Sequence, residues 1–439
     1  MLVGSAPYHI RCKGFAEQNA YTWRFSMNAV TRHWPDAGET RIPYWVYTDK
    51  DIYQSELERI WYGEHWLYAG LEAEVPAVGS YRTTMLGERS VIVVRSAPDE
   101  ISVLENRCRH RGVTICQARS GKLPAITCPY HQWTYTLDGS LRGVPFRRGI
   151  NGKGGMSPDF SPKDFGLVRL KVEVVNGVIW ASFSDKTRPF REYFSERLWH
   201  SYERMFSGRK LRIDGYTRQT IPANWKLIVE NFRDPYHAGL LHVFLPTFGL
   251  FRPDQGLELR MDETGRHGSI MPVPGHDPKA HSGNDFLSET AHDKSFKLAD
   301  RRLVEAVHEL KGEETVSTST VFPSVIFLQQ INSLQVRQIV PKGTEEFELI
   351  FTFFGFEDDD EEMRQRRIRH GNLFGPAGLV TVDDFEVLPM AQSTYRAAET
   401  EESVLMMGQG GRVNSDEGSL ATESPIRGFY QYYREVMGL

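Results

Sequence analysis

Two short Cys/His pairs constrain this chain more than any other feature of its sequence. The first is CRHRG at 108–112 and the second is CPYHQW at 128–133, so seventeen residues separate His110 from Cys128. The four candidate ligands are therefore Cys108, His110, Cys128 and His131. Glycine and proline in these stretches favour turns, which lets two loops face each other. The chain is expected to bring the two loops together around one centre.

The cysteine usage points to a metal centre rather than to disulfides. Four cysteines in 439 residues are too few for a disulfide scaffold, and three of the four fall within 21 residues. Two thiolates and two imidazoles can hold a tetrahedral Zn²⁺. They can equally hold a [2Fe–2S] cluster with the cysteines on one iron and the histidines on the other. These residues alone leave both alternatives open; Cys116 fits neither, and Cys12 has no assigned role.

The pattern along the chain predicts an α+β protein with two main domains. Residues 90–95 and 101–106 are rich in β-branched residues, and Asn176-Gly177 joins two further runs as a hairpin signal. We predict a small antiparallel β domain over 61–186. Residues 187–439 mix strands and helices and predict an antiparallel sheet flanked by helices. Residues 1–60 are predicted to be an N-terminal segment and helix that pack with this second domain.

A second histidine pair lies in DPYHAGLLH at 234–242. On a regular helix a spacing of five turns the rings of His237 and His242 about 140° apart, so a shared metal requires an irregular backbone. Asp234-Pro235 favours a break followed by a new short helix. Two histidines and one carboxylate on one face of a metal are typical of non-haem Fe(II) oxygenases.

Bulk properties exclude several other classes of protein. The net charge of −5 argues against nucleic acid as the main partner. No apolar run is long enough to span a membrane, and no secretion signal follows the start, so we expect a cytoplasmic protein. A Gly-x-Gly-x-x-Gly turn after a strand is absent from the sequence. Electrons from NAD(P)H would therefore arrive through a partner protein.

The two Cys/His motifs resemble those of Rieske domains. From about Tyr44 to the C-terminus, the chain resembles the large (α) subunit of Rieske non-haem iron aromatic-ring-hydroxylating dioxygenases. The resemblance implies a [2Fe–2S] Rieske cluster and a mononuclear Fe(II). It assigns the cluster to Cys108, His110, Cys128 and His131, and the iron to His237, His242 and Asp384, with Asp383 as the fallback. The motif that carries Asp384 is FGPAGLVTVDDFE at 374–386.

The same resemblance implies roles for neighbouring residues. Asp234 would link His237 to His131 of another copy of the chain, and Asn231 would lie near the iron. Phe232, Phe374 and Val380 would line an apolar, aromatic-sized substrate pocket. Leu240 and Leu241 are close to it in sequence.

The resulting prediction is the terminal oxygenase of a multicomponent system. It would insert O₂ into an aromatic compound, an aromatic carboxylate in particular, with electrons from a ferredoxin or a reductase. The expected assembly is α₃β₃ with a small β subunit, or α₃. The alternatives are a Rieske monooxygenase, acting as a hydroxylase or demethylase, and a Rieske electron carrier without catalysis. Three irons per chain would fit an oxygenase, and two would fit the carrier.

Overall fold

Every strand pair in the described part of the chain is antiparallel, as the α+β prediction requires. The computed structural model describes residues 32–206, 208–248, 255–276, 298–312, 314–408 and 419–439. Cys12 and most of the polar stretch 274–296 lie outside these ranges. Residues 34–439 form one compact unit.

The N-terminal half of this unit contains three small sheets. Their strand orders are β5-β4-β3-β6, β7-β8-β9 and β10-β11-β2. Asn176 and Gly177 both have positive φ, and they close the predicted hairpin between β10 and β11. The strands are β2 (Leu67–Leu71), β3 (Ser80–Leu86), β4 (Arg89–Ala97), β5 (Glu100–Glu105), β6 (Ser120–Lys122), β7 (Ile126–Thr127), β8 (Thr134–Tyr135), β9 (Leu141–Gly143), β10 (Lys171–Val175) and β11 (Val178–Ser182).

The C-terminal half is built on a seven-stranded sheet in the order β12-β18-β17-β16-β15-β14-β13. Strand β17, in the interior of the sheet, is buried along its whole length. The strands are β12 (Leu211–Ile221), β13 (Gln255–Met261), β14 (Gly268–His276), β15 (Val316–Val321), β16 (Val325–Gln330), β17 (Ser333–Pro341) and β18 (Phe347–Phe356). A separate short pair joins β1 (Arg41–Pro43) to β19 (Glu402–Val404).

Helices pack around this large sheet. The C-terminal helix begins with Pro425 in its first turn and buries its aromatic face, as its amphipathic pattern predicts. The helices are α1 (Trp45–Thr48), α2 (Lys50–Glu56), α3 (Glu196–Met205), α4 (Trp225–Asn231), α5 (Pro235–Leu241), α6 (Phe244–Thr247), α7 (Glu361–Leu373), α8 (Thr381–Ala397) and α9 (Ser424–Met437). Short 3₁₀ turns occupy Gly38–Thr40, Glu72–Glu74, Pro162–Phe165, Phe190–Tyr193 and Arg301–Leu303. No helix in the described ranges is long and apolar enough to cross a bilayer.

Two local predictions are wrong in detail. The apolar spacing of residues 51–68 predicts one helix with Asp51 as its N-cap, but α2 passes into a π-helical turn that ends at Trp61, and its N-cap is Asp49. Gly63 follows this end, and a Cβ there would lie 2.1 Å from the Arg59 carbonyl oxygen, so the backbone turns where only glycine fits. The acidic run DDDEE at 358–362 is predicted to be a solvated surface, but Asp359 is buried and pairs with Arg367 at 2.8 Å.

Candidate metal centres

The two Cys/His loops have the same backbone conformation. In each loop the cysteine N–H donates to the carbonyl oxygen five residues later, at an N–O distance of 2.9 Å. The N–H four residues after the cysteine donates back to the cysteine carbonyl, at 2.9 Å after Cys108 and 3.1 Å after Cys128. That fourth position is Gly112 in one loop, with φ 74°, and Gln132 in the other, with φ 55°. The two loops are therefore matched halves of one site.

The loops direct cysteine inward and histidine outward. Cys108 and Cys128 are buried, whereas His110 is exposed and His131 is half-buried. The His110 ring lies 4.6 Å from the His131 ring and stacks on Trp133 at 4.8 Å. Burial raises the pKa of the Cys128 thiol in the metal-free chain. Burial and the neighbouring His131 lower the pKa of His110, which keeps the imidazole neutral and able to bind a metal.

The arrangement of the four side chains fits a two-iron cluster. The two cysteines are buried, and the two histidine rings lie side by side, with centroids 4.6 Å apart, in more exposed positions. A [2Fe–2S] cluster keeps the cysteine pair and the histidine pair on different irons. The residues present therefore fit the cluster.

The second site begins at a break between two helices. Asn224 caps α4, which ends at Asn231, and Asp234 caps α5 with its Oδ1 accepting from the N–H groups of Tyr236 and His237. Pro235 occupies the first turn of α5, as predicted. His242 lies just past the end of α5, with φ −88° and ψ 73°. This departure from helical geometry brings the His242 ring centroid to 5.2 Å from that of His237.

One carboxylate oxygen completes the group. Asp384 Oδ1 lies 3.6 Å from His237 Nε2 and 3.3 Å from His242 Nε2. Of the described residues, these three alone form a group whose ligand atoms all lie within 4.8 Å. Asp383, the fallback, contacts the other ring nitrogen, His242 Nδ1, at 3.2 Å. The geometry thus gives the two neighbouring aspartates different positions around the same histidine.

Asn231 and Asp234 adjoin this group. Asn231 Nδ2 donates to Asp384 Oδ1 at 3.0 Å. Asp234 Oδ2 lies 3.3 Å from His237 Nδ1, on the opposite side of the ring from Asp384. Burial alone would lower the pKa of His237, but the neighbouring Asp234 and Asp384 carboxylates outweigh it and raise that pKa to about 10. The histidines in turn hold the pKa of Asp384 well below its usual range, although burial opposes this.

A glycine-rich turn delivers Asp384 to the group. It spans FGPAG at 374–378 and leads into α8, which starts at Thr381. A Cβ on Gly378 would lie 2.0 Å from the Leu373 carbonyl oxygen, so only glycine fits this close approach. The turn places the carboxylate in the first helical turn, where an acidic side chain favours the helix dipole.

A cavity opens beside the His/His/Asp group. Phe232 and Val380 line it. Phe374 does not line it; its side chain instead packs into a small apolar cluster with Ile331, Leu373 and Val380. Leu240 is exposed, and neither it nor Leu241 lines the cavity. The described lining residues are Asn231, Phe232, Asp234, Pro235, His237, Ala238, His242, Leu245, Ile270, Pro272, Val316, Thr318, Gln330, Arg337, Val380, Thr381 and Asp384.

Comparison with known proteins identifies both halves of the chain. Residues 65–152 match the family described as Rieske [2Fe-2S] domain, and residues 195–439 match the one described as ring hydroxylating alpha subunit (catalytic domain). The chain belongs to the ring-hydroxylating α-subunit family. This α subunit is a Rieske non-haem iron ring-hydroxylating oxygenase, and it carries a Rieske [2Fe–2S] cluster and a mononuclear iron.

Relatives and solved structures agree with this assignment. The α subunit is 46% identical over 413 residues to the large oxygenase component of salicylate 5-hydroxylase from Ralstonia sp, covering 92% of this chain and 96% of the relative. It is 38% identical over 409 residues to the large subunit of anthranilate 1,2-dioxygenase from Burkholderia cepacia, covering 92% and 95%. Naphthalene 1,2-dioxygenase with bound indole shares the fold, with a TM-score of 0.74 at 22% identity over 91% of this chain and 92% of that chain.

Such relatives are large components of multicomponent oxygenases. The α subunit is accordingly the terminal oxygenase of its system, and it needs a substrate, O₂ and electron-transfer partners.

Proposed function

We propose that His237, His242 and Asp384 hold the mononuclear iron, and that Cys108, His110, Cys128 and His131 hold the cluster. The observation that carries the first assignment is the position of Asp384 Oδ1, within 3.6 Å of both imidazole Nε2 atoms. Two nitrogens and one carboxylate oxygen form the donor set expected for non-haem iron with open positions. The matched loops and the inward cysteines support the cluster assignment.

The reaction we propose is dihydroxylation of an aromatic carboxylate to a cis-dihydrodiol. It combines the arene, O₂, two electrons and two protons. When bound, the cluster relays single electrons and the iron activates O₂. The chain's residues hold the ring in the cavity, keep the ligands in place and exclude bulk water. The aromatic carboxylate class is supported by relatives named for salicylate, anthranilate and terephthalate at 46%, 38% and 37% identity.

Monohydroxylation is the second candidate, favoured by one observation. The relative at 46% identity is named a hydroxylase, not a dioxygenase. Supplying ¹⁸O₂ distinguishes the two reactions, because a cis-dihydrodiol contains two labelled oxygens and a phenol contains one. A panel of benzoates and unsubstituted arenes should be tested together, with product mass as the readout.

Asp234 is proposed to join His237 to His131 of a second copy of the chain. Its Oδ1 caps α5, while its Oδ2 lies beside His237 Nδ1, and the side chain remains partly exposed. Among the described residues, the buried His131 Nδ1 has no hydrogen-bond partner, so it can ligate the cluster and leave the Nε2–H of this half-buried ring to donate to a carboxylate of another chain. A carboxylate that orients a metal-bound imidazole also raises the basicity of the ring.

The matching test uses Asp234→Asn, which retains a good N-cap. Both metals should stay bound, and the cluster should still be reduced by the electron donor. Re-oxidation of the reduced cluster by substrate and O₂ in a single turnover should slow greatly. Unchanged re-oxidation at full iron content would show that Asp234 only caps the helix.

The same bridge supports a ring of three α subunits, joined by a small β subunit or standing alone as α₃. We also propose the domain boundaries 1–60, 61–186 and 187–439, a ferredoxin or reductase as the electron donor, and a cytoplasmic location.

Iron analysis addresses the rival electron carrier: we expect three irons per chain together with product formation. Two irons per chain and no product would favour the carrier.

A further inference from the structure

The cavity beside the iron ligands is lined by a buried arginine. Among the described residues that line it, Arg337 is the only lysine or arginine. It lies on β17 and is 1% exposed. Its guanidinium carbon is 5.1 Å from the Phe232 ring centroid and 4.7 Å from that of Phe351. The two aromatic faces fix the plane of the guanidinium group.

Only part of the hydrogen-bonding capacity of Arg337 is used within the chain. A guanidinium has five N–H donors. Nε donates to Gln335 Oε1 at 3.2 Å, and Nη2 donates to the Phe374 carbonyl at 2.7 Å and to Thr381 Oγ1 at 3.3 Å. Nη1 makes no hydrogen bond to any described residue. All three acceptors are neutral, so no carboxylate of the described chain pairs directly with this cation.

Arg233, which lies between α4 and α5, is a buried arginine with a structural role and offers a comparison. Arg233 is also 1% exposed, but it donates to the carbonyls of Gly265 and Arg266 and to Thr320, and it does not line the cavity. Asp384 is the charged group of the chain that acts on Arg337, and its influence only partly offsets the burial that lowers the arginine pKa to about 9. The guanidinium therefore stays charged at neutral pH.

We propose that Arg337 is the specificity-determining residue that binds the substrate carboxylate through Nη1. This inference rests on the proposed function, because it assigns an anionic ring compound to the cavity of the oxygenase. A buried cation without an anionic partner is costly, and a carboxylate supplies the missing charge and hydrogen-bond acceptors. Phe232 and the His237/His242/Asp384 group line the same cavity as Arg337, so a ring anchored at Arg337 would share that space.

The arrangement also accounts for rejection of neutral arenes. A neutral ring that enters the cavity leaves Nη1 desolvated and unpaired. Discrimination by a site built to pair with a polar group is larger than discrimination by an apolar pocket. We therefore expect benzoates to be preferred over isosteric neutral compounds such as benzamide.

The test compares kcat/KM for benzoate and benzamide, and for 2-hydroxybenzoate and its amide, in the fully loaded oxygenase with its electron donor. Arg337→Gln should lower the carboxylate-to-amide ratio by about 100-fold, with most of the loss in the carboxylate reaction. Arg337→Lys retains the charge but not the planar fork, and it should fall between the wild type and the glutamine variant.

Arg233→Gln is the matched control, since it also removes a buried guanidinium. It should affect both substrates alike and leave the ratio unchanged. Equal losses for carboxylate and amide in Arg337→Gln, or an unchanged ratio in Arg337→Lys, would overturn the assignment. If the loaded wild-type enzyme hydroxylates neither benzoates nor neutral arenes, the proposed function fails. If it hydroxylates them while the ratio is insensitive to Arg337, only the present inference fails.

Discussion

The two adjacent aspartates on α8 show how one residue step separates two roles. Asp384 Oδ1 approaches both imidazole Nε2 atoms, whereas Asp383 contacts His242 Nδ1. We expect Asp384→Ala to lose the mononuclear iron and product formation while the cluster spectrum is kept. Asp383→Ala should retain the iron but bind it about 10- to 100-fold more weakly, because His242 loses an orienting partner. Iron content and EPR of the reduced cluster measure both outcomes, and the reverse pattern would assign the ligand to Asp383.

At the residue scale, motifs with fixed spacing were predictable and isolated polar residues were not. The Cys/His pairs and Asp234-x-x-His237 are recognisable because several residue types recur at set distances. Arg337 belongs to no motif, so its position beside the cavity follows only from the fold. Its one sequence signal is a cation in the middle of a strand that is otherwise apolar or uncharged, SLQVRQIVP at 333–341.

At the scale of elements, a buried ion pair joins α2 to α4. Lys226 Nζ lies 2.6 Å from Glu56 Oε1, and both side chains are fully buried. Tyr433 from α9 and Trp225 also donate to Glu56. Removing one charge leaves the other unpaired, so Lys226→Met should destabilise the folded chain by about 3–5 kcal/mol.

The double variant Glu56→Gln/Lys226→Met should recover much of that loss, because no buried charge remains. Thermal unfolding of the wild type, both single variants and the double variant gives four unfolding free energies. Together they form a double-mutant cycle that yields the interaction energy between the two side chains. Strictly additive shifts would show that the pair is not coupled.

The contact between α4 and α9 predicts a pH-dependent stability. Burial raises the pKa of Glu230 to about 7, and the Tyr430 hydroxyl donates to its carboxylate. Since the folded pKa lies above the unfolded one, the stabilising contribution is full below about pH 4.5 and is lost as pH rises through 7. Glu230→Gln should therefore gain stability relative to the wild type across this window, by at most roughly 3–4 kcal/mol at ~1.4 kcal/mol per pKa unit. A difference that does not change with pH would contradict this.

On the scale of the whole molecule, electron transfer between copies can be tested by complementation. His110→Ala should disable the cluster, and Asp384→Ala should disable the iron site, so each variant alone is inactive. When the two variants are co-expressed and assemble at random, an intact cluster faces an intact iron site of the neighbouring chain in roughly a quarter of the contacts. A ring with electron transfer between neighbouring chains should therefore recover roughly a quarter of wild-type activity. Mass measurement should verify that the assemblies contain both variants. If such mixed assemblies remain inactive, electrons are transferred within one chain.

Much of the overall architecture followed from the sequence, because strands with strong β-branched character and a clear hairpin signal formed as predicted. The end of α2 did not, because the apolar spacing continues past Trp61, although Gly63 is a local signal for a helix end. The break before α5 was predictable from Asp234-Pro235. No local sequence signal shows where the chain leaves helical geometry at His242. That departure could be inferred only from the requirement that both histidine rings reach one metal.

Arg337 forms hydrogen bonds with residues on both sides of the glycine-rich turn that precedes Asp384. One guanidinium nitrogen donates to the Phe374 carbonyl and to Thr381 Oγ1, and Asp384 follows three residues later on the same helix. We expect an anion bound to Arg337 to shift this anchor and, with it, the Asp384 carboxylate. Neutral ring compounds should leave the anchor unshifted and lose reducing equivalents as hydrogen peroxide, whereas carboxylates should couple NADH oxidation to product. Equal peroxide yields from benzoate and benzamide would show that the turn does not transmit occupancy.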